Sequence, residues 1–178
     1  YYVRAYCVAG GTTYYGPTYI YGTRKVGIYT LEDLIAFRDA HNNNDDLSLW
    51  KDENGVVTLY SDIDMSSVTD WTPIEYFWSN ETFDGNGHFL TNFKISSSRT
   101  NAQYYGLFGQ NSGLIKNLHI GEGSNITFAI PQDAYSYPYI GAICGYNNDD
   151  GSISGCTSIA LIDVTSATNS ASFGVGGI

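Results

Sequence analysis

The chain has 178 residues, enough for one packed core with a short appended element. Its formal net charge is −10, from 8 Lys and Arg against 18 Asp and Glu, which argues against nucleic acid or an anionic membrane surface as partner. No apolar run is long enough for a membrane-spanning helix, and no signal peptide is present, an absence shared by mature secreted proteins.

A charged fraction of 15% beside 16 Tyr and 20 Gly suits a secreted β protein, so an extracellular or cell-surface location is expected. Three Cys are too few and too scattered for a disulfide framework.

The chain opens with Tyr1-Tyr2-Val3-Arg4-Ala5-Tyr6-Cys7-Val8, a Gly10-Gly11 turn, then Thr12-Thr13-Tyr14-Tyr15-Gly16. This resembles the last two strands of a fibronectin type III-like domain. Two strands alone are marginal in water. Residues 1–22 are therefore expected to be the end of a truncated domain, or a hairpin that packs on the remainder as a cap.

Residues 30–41 carry the one clear helix signal. Thr30 can N-cap it, Glu32 and Asp33 fall where the helix dipole favours acids, and Leu31, Leu34 and Ile35 form an apolar stripe. We expect this helix to plug the N-terminal end of the β-structure that follows, and residues 41–46 to form a polar loop.

The rest of the chain repeats itself. Gly106-Leu107-Phe108-Gly109, Gly141-Ala142-Ile143-Cys144-Gly145 and Gly174-Val175-Gly176-Gly177 start 35 and then 33 residues apart. The first two copies are followed by Ile115-Lys116-Asn117-Leu118-His119-Ile120 and by Ile153-Ser154-Gly155-Cys156-Thr157-Ser158. Leu90-Thr91-Asn92-Phe93-Lys94-Ile95 fits the same clause and predicts a further copy upstream. Self-similarity at a fixed period implies stacked units that bury a face against one another. Short alternating apolar runs punctuated by Gly, Asn and Ser make those units strands and turns. The spacing of the apolar positions predicts a bend near Asn92 and Asn117, and an asparagine ladder there that Gly155 interrupts.

These residues resemble the GLUG repeat of bacterial surface and adhesin-like proteins, especially those of Bacteroides-like anaerobes. The residues from Val56 to Met65 followed by Trp71-Thr72-Pro73-Ile74 resemble the opening segment of that family, and Phe83-Asp84-Gly85-Asn86-Gly87-His88 resembles its first corner. The likeness covers residues 26–178 and implies an all-β fold of the pectin-lyase-like kind, a right-handed parallel β-helix with a short N-terminal capping helix. The chain stops within a repeat, so a larger multidomain parent chain is expected.

Few residues suggest chemistry. Asp62 and Asp64 could share a face and bind calcium or act as acid and base, but a solvated turn is the favoured reading. The adjacent pairs Asp45-Asp46 and Asp149-Asp150 do not match an EF-hand loop, and His41, His88 and His119 show no zinc-ligand spacing. Cys144 stands where Phe108 stands, and Cys156 where Leu118 stands, so both read as small buried apolar residues, ahead of a Cys144–Cys156 bridge. Lys94 and Lys116 are expected to form an outward, solubilising column. No catalytic residue, metal or cofactor is assigned.

Aromatic residues are the binding lead. Trp78 shares a loop with Phe77, Tyr104 and Tyr105 precede a repeat, and Tyr135, Tyr137 and Tyr139 would place three rings on one face if extended. Such rings stack on sugars or anchor a protein partner; the plainer reading has them folded over the apolar surface of the coil. The expected role is a non-catalytic, adhesin-like segment that contacts glycans or host or partner proteins. The alternative is a fragment of a polysaccharide lyase or glycoside hydrolase of β-helix fold.

Overall fold

The computed structural model describes residues 2–20, 25–96, 104–130, 138–166 and 174–178. Strands β1 (Tyr2–Ala9) and β2 (Thr12–Ile20) form an antiparallel hairpin in which Ala9 pairs with Thr12 across a two-residue turn. Gly10 (φ 57°) and Gly11 (φ 78°) both take the left-handed conformation that this tight turn requires. Tyr6, Val8, Tyr14 and Tyr15 are all more than half exposed, so near the turn side chains on both faces of the hairpin meet solvent.

Helix α1 (Leu31–Asn43) begins with a capping box. The Thr30 hydroxyl accepts from the Asp33 amide, and the Asp33 carboxylate accepts from the amides of Thr30 and Tyr29. Its buried residues are Leu34, Phe37 and His41, with Leu31 and Ile35 only partly covered. The expected stripe of Leu31, Leu34 and Ile35 therefore packs against the core, and Phe37 and His41 extend it.

The strands that follow are β3 (Val56–Thr58), β4 (Ile63–Asp64), β5 (Ile74–Phe77), β6 (Thr82–Asp84), β7 (Phe89–Thr91), β8 (Lys94–Ile95), β9 (Tyr104–Tyr105), β10 (Phe108–Asn111), β11 (Leu114–Lys116) and β12 (His119–Ile120). After them come β13 (Asn125–Ile130), β14 (Tyr139–Gly141), β15 (Cys144–Asn147), β16 (Ser152–Ser154), β17 (Thr157–Ser158), β18 (Leu161–Ser166) and β19 (Gly174–Gly176). The fold is mostly β, with parallel sheets. They are ordered β5-β10-β15, β3-β6-β11-β16, β4-β7-β12-β17, β8-β13-β18 and β9-β14-β19. Each sheet takes one strand from each successive segment of the chain.

Registers align like with like. Ile74, Phe108 and Cys144 are partners, as are Phe83, Ile115 and Ile153, and Ile95, Ile126 and Ile162. Phe108 is fully buried, with its ring 5.1 Å from Phe77 and 5.3 Å from Phe83. Burying a side chain of this size stabilises by roughly 1.5–3 kcal/mol. Cys144 is buried and Cys156 partly so, and all three thiols are free.

Two expected registers are corrected. Residues 90–95 do not lie over residues 115–120: Ile115 pairs with Phe83, and Leu90 pairs with Ile120. The confusion has a physical cause. Asn92 (φ 55°) and Asn117 (φ 52°) turn two different corners with the same left-handed residue, so the same apolar spacing flanks both. In the last copy Gly176, not Gly174, pairs with Gly141, so the column Tyr105, Ile140, Val175 steps by 35 residues each time.

Asn92 and Asn117 also do not form a ladder. Their amides donate to Asp64 Oδ1 (2.8 Å) and Asp84 Oδ1 (3.1 Å). The asparagine ladder runs instead from buried Asn111 to its register partner Asn147, Nδ2 to Oδ1 at 2.7 Å.

Helix α1 covers the free edge of β5. The Asn42 side chain donates to Pro73 O (2.9 Å) and accepts from the Glu75 amide (2.9 Å), so one amide group does the work of a missing strand. Phe37 packs on Phe83 and Trp50, and Arg38 lies over the Trp71 ring at 4.6 Å.

Candidate functional site

Parallel pairing brings together three tyrosines that are distant in sequence. Tyr104 on β9 and Tyr139 on β14 are register partners, and Tyr146 sits on the neighbouring strand β15. Their ring centroids are 5.7 Å apart for Tyr104 and Tyr139, 5.3 Å for Tyr104 and Tyr146, and 5.6 Å for Tyr139 and Tyr146. Tyr104 and Tyr146 are stacked, whereas Tyr146 meets Tyr139 edge-on. Tyr139 and Tyr146 are each 37% exposed and Tyr104 is half-buried, so the cluster forms a packed aromatic surface with open faces. Strands β9, β14 and β15 hold the rings, and each side chain has only two rotatable bonds to the ring, so little entropy is lost on binding.

A second aromatic pair lies on the same group of strands. The rings of Tyr76, on β5, and Trp78, just past its end, are 4.2 Å apart. Trp78 is 49% exposed. The Tyr76 hydroxyl is 3.1 Å from Ser112 Oγ, which also accepts from Asn148 Nδ2 at 3.1 Å.

The aromatic residues expected from sequence divide clearly. Tyr104 and Tyr139 meet, and Trp78 is exposed beside Tyr76. Tyr105 is 1% exposed and packs on Phe128, so it belongs to the core and presents nothing to solvent. Tyr139 belongs to a strand, and Phe77 is buried. Tyr135 and Tyr137 lie outside the described residues. Tyr146 and Tyr76 were missed. Both could have been found by extending the Phe108–Cys144 register by two residues, which aligns Tyr76, Gln110 and Tyr146.

The candidate carboxylate pair, Asp62 and Asp64, is committed to local structure. Asp62 accepts from His88 Nδ1 (2.9 Å) and the Phe89 amide (3.0 Å), while Asp64 accepts from the Ser66 amide (2.9 Å) and from Asn92. Donation from the Phe89 amide, followed by His88, holds Asp62 below the usual carboxylate range; Asn92, followed by Ser66, does the same for Asp64. Lys116 pairs with Asp84 at 3.1 Å. Lys94 instead pairs in register with Asn125, so the expected Lys94–Lys116 column does not form.

One ionic cluster is buried. Glu81, between β5 and β6, is 4% exposed, and its carboxylate accepts from His41 Nε2 (2.8 Å), the Trp78 amide (2.9 Å) and Lys51 Nζ. Burial alone would raise its pKa, but the donations from His41, Lys51 and Trp78 outweigh that and hold it below the ordinary value. This cluster fastens α1 to the first corner. Beside it lies an open depression of about 580 Å³ lined by acids such as Asp46 and Asp52. Those two already accept from Ser48 and from the Asn54 and Val56 amides.

Among the described residues, no three His, Cys, Asp or Glu side chains are grouped to hold a metal ion. Among the same residues no helix is long and apolar enough to cross a membrane. No family model, curated protein or solved structure matches this chain.

Proposed function

We propose that the chain is a segment of a right-handed parallel β-helix of the GLUG-repeat kind, from a secreted or surface-attached bacterial protein, with an adhesin-like and non-catalytic role. On this reading the stacked segments form a rigid support, and the tyrosine cluster on its flank contacts glycans. The observation that carries the proposal is the mutual packing of Tyr104, Tyr139 and Tyr146, with two of the rings more than one-third exposed. Flat, amphipathic rings held open to solvent suit the apolar face of a sugar ring and the hydroxyls at its rim. The commitment of Asp62, Asp64, Glu81 and Asp84 to turns, caps and ion pairs favours binding over glycoside cleavage, which needs a carboxyl pair facing a bond to be broken.

The test is a glycan array probed with the wild-type protein and with a Tyr139→Ala, Tyr146→Ala double variant. The double variant should lose array binding while its far-ultraviolet circular dichroism stays unchanged. Equal binding by the two proteins would remove the cluster from the function, and release of reducing ends from any bound glycan would remove the non-catalytic reading.

A further inference from the structure

We infer that the tyrosine cluster is one end of a longer strip, running across the strands to Tyr76 and Trp78, and that the strip takes a neutral, linear, β-linked polysaccharide. This inference rests on the glycan reading above and adds the ligand class, its direction and a second contact point.

The register supplies the geometry. Tyr76, Gln110 and Tyr146 are partners on β5, β10 and β15, three adjacent rungs of one parallel sheet. Parallel rungs lie about 4.8 Å apart, so Tyr76 and Tyr146 are about 10 Å apart with Gln110 midway. Tyr146 is 37% exposed and Tyr76 and Gln110 are partly exposed, while the chain neighbours Phe77 and Asn111 are fully buried, which sets this column on the outer surface. Trp78 widens the lower end, and Tyr104 and Tyr139 widen the upper end.

Successive sugars in a flat β-linked chain alternate in facing, so the same apolar face returns once per disaccharide. Two rungs of a parallel sheet match that repeat. The ring groups at either end would meet equivalent faces, and the Gln110 amide, able to donate and accept, would meet hydroxyls of the sugar between them. An α-linked chain coils and offers no such flat, periodic face.

Charge selects against the acidic glycans. None of Tyr76, Trp78, Tyr104, Gln110, Tyr139 and Tyr146 is charged, Lys116 is already paired with Asp84, and the chain carries a net charge of −10. A uronate or sulfate would approach an unfavourable field with no cation in the strip to receive it.

The experiment is isothermal titration of the protein with a soluble β-1,4-linked gluco-disaccharide and the matching hexasaccharide. An α-1,4-linked hexasaccharide and an oligogalacturonate serve as comparators. The β-linked hexasaccharide should bind more tightly than the disaccharide and than both comparators. Trp78→Ala, at an exposed ring, should weaken the hexasaccharide about three- to tenfold and leave the disaccharide unchanged. Gln110→Glu should act in the same direction.

Equal binding of the α-linked chain, or a Trp78→Ala variant that matches the wild type on the hexasaccharide, would overturn the strip. If Tyr146→Ala still abolished binding in that case, the cluster reading would stand alone. If Tyr146→Ala bound every probe normally, both readings would fall. Binding of none of the sugars, with a protein ligand captured through Trp78, would overturn the glycan assignment.

Discussion

Replacing Glu81 by Gln tests what fastens the helix to the β-structure. The carboxylate is 4% exposed and serves three donors: His41 on α1, Lys51 in the following loop, and the Trp78 amide. The amide keeps the shape and can still accept from Trp78, but the charge is lost. A hydrogen bond to a charged group contributes about 1.5–3 kcal/mol, against about 0.5–1.5 kcal/mol between neutral groups. Weakening the His41 bond accounts for most of the loss, and Lys51 adds less because its side chain is 25% exposed and screened by water. We expect a total near 2–3 kcal/mol, and at roughly 2–4 °C per kcal/mol for a chain of this size, a fall in Tm of roughly 4–12 °C. Urea unfolding followed by tryptophan fluorescence measures the first quantity. Hydrogen exchange should show α1 amides losing protection before those of β11.

The pH dependence follows in sign. The folded-state pKa of Glu81 is lowered from 4.5, so its contribution is fully present above that value and is lost as pH falls through the folded pKa. The variant should lack this component of acid destabilisation. A loss below about 0.5 kcal/mol, with α1 protection unchanged, would refute the fastening role, since breaking a buried ion pair is expected to cost several times that.

Two further outcomes are expected. Gly155 sits at φ 63° in the position after Ser154, where the paired strand β11 is followed by Asn117 at φ 52°. Gly155→Ala should cost about 1–2 kcal/mol in urea unfolding, and Gly155→Asn clearly less, because Asn tolerates the left-handed conformation. Equal costs would show that backbone conformation is not what selects glycine there. Burial pushes the Cys144 thiol up to about 11, so iodoacetamide at pH 8 should modify exposed Cys7 and leave Cys144 unmodified until urea is added. Mass spectrometry of the labelled peptides decides this, and rapid native labelling of Cys144 would contradict its packing.

Much of the architecture was legible before any coordinates. The helix start was readable because a capping box is a local device, and Thr30 and Asp33 carry it within four residues. The pairing of Phe108 with Cys144 was readable because equivalent residues in stacked segments face the same interior and keep similar character. The expectation failed where one local pattern serves two places. The corners at Asn92 and Asn117 have the same backbone conformation and the same apolar flanks, so sequence alone assigned them to one column. Glu81 gave no signal as an anchor either, because its partners His41 and Lys51 lie 40 and 30 residues upstream in the chain.

The residues themselves determined that this would be a protein of short strands stacked in parallel, since alternation, period and turn chemistry are properties of neighbouring positions. Which rings stand together on the surface was decided only by the assembled sheets. Tyr104 and Tyr139 meet because β9 and β14 pair in a particular register, and a shift of one residue there would point each side chain the opposite way. That register is set by the summed packing of the core columns, a quantity that no single segment of the sequence contains.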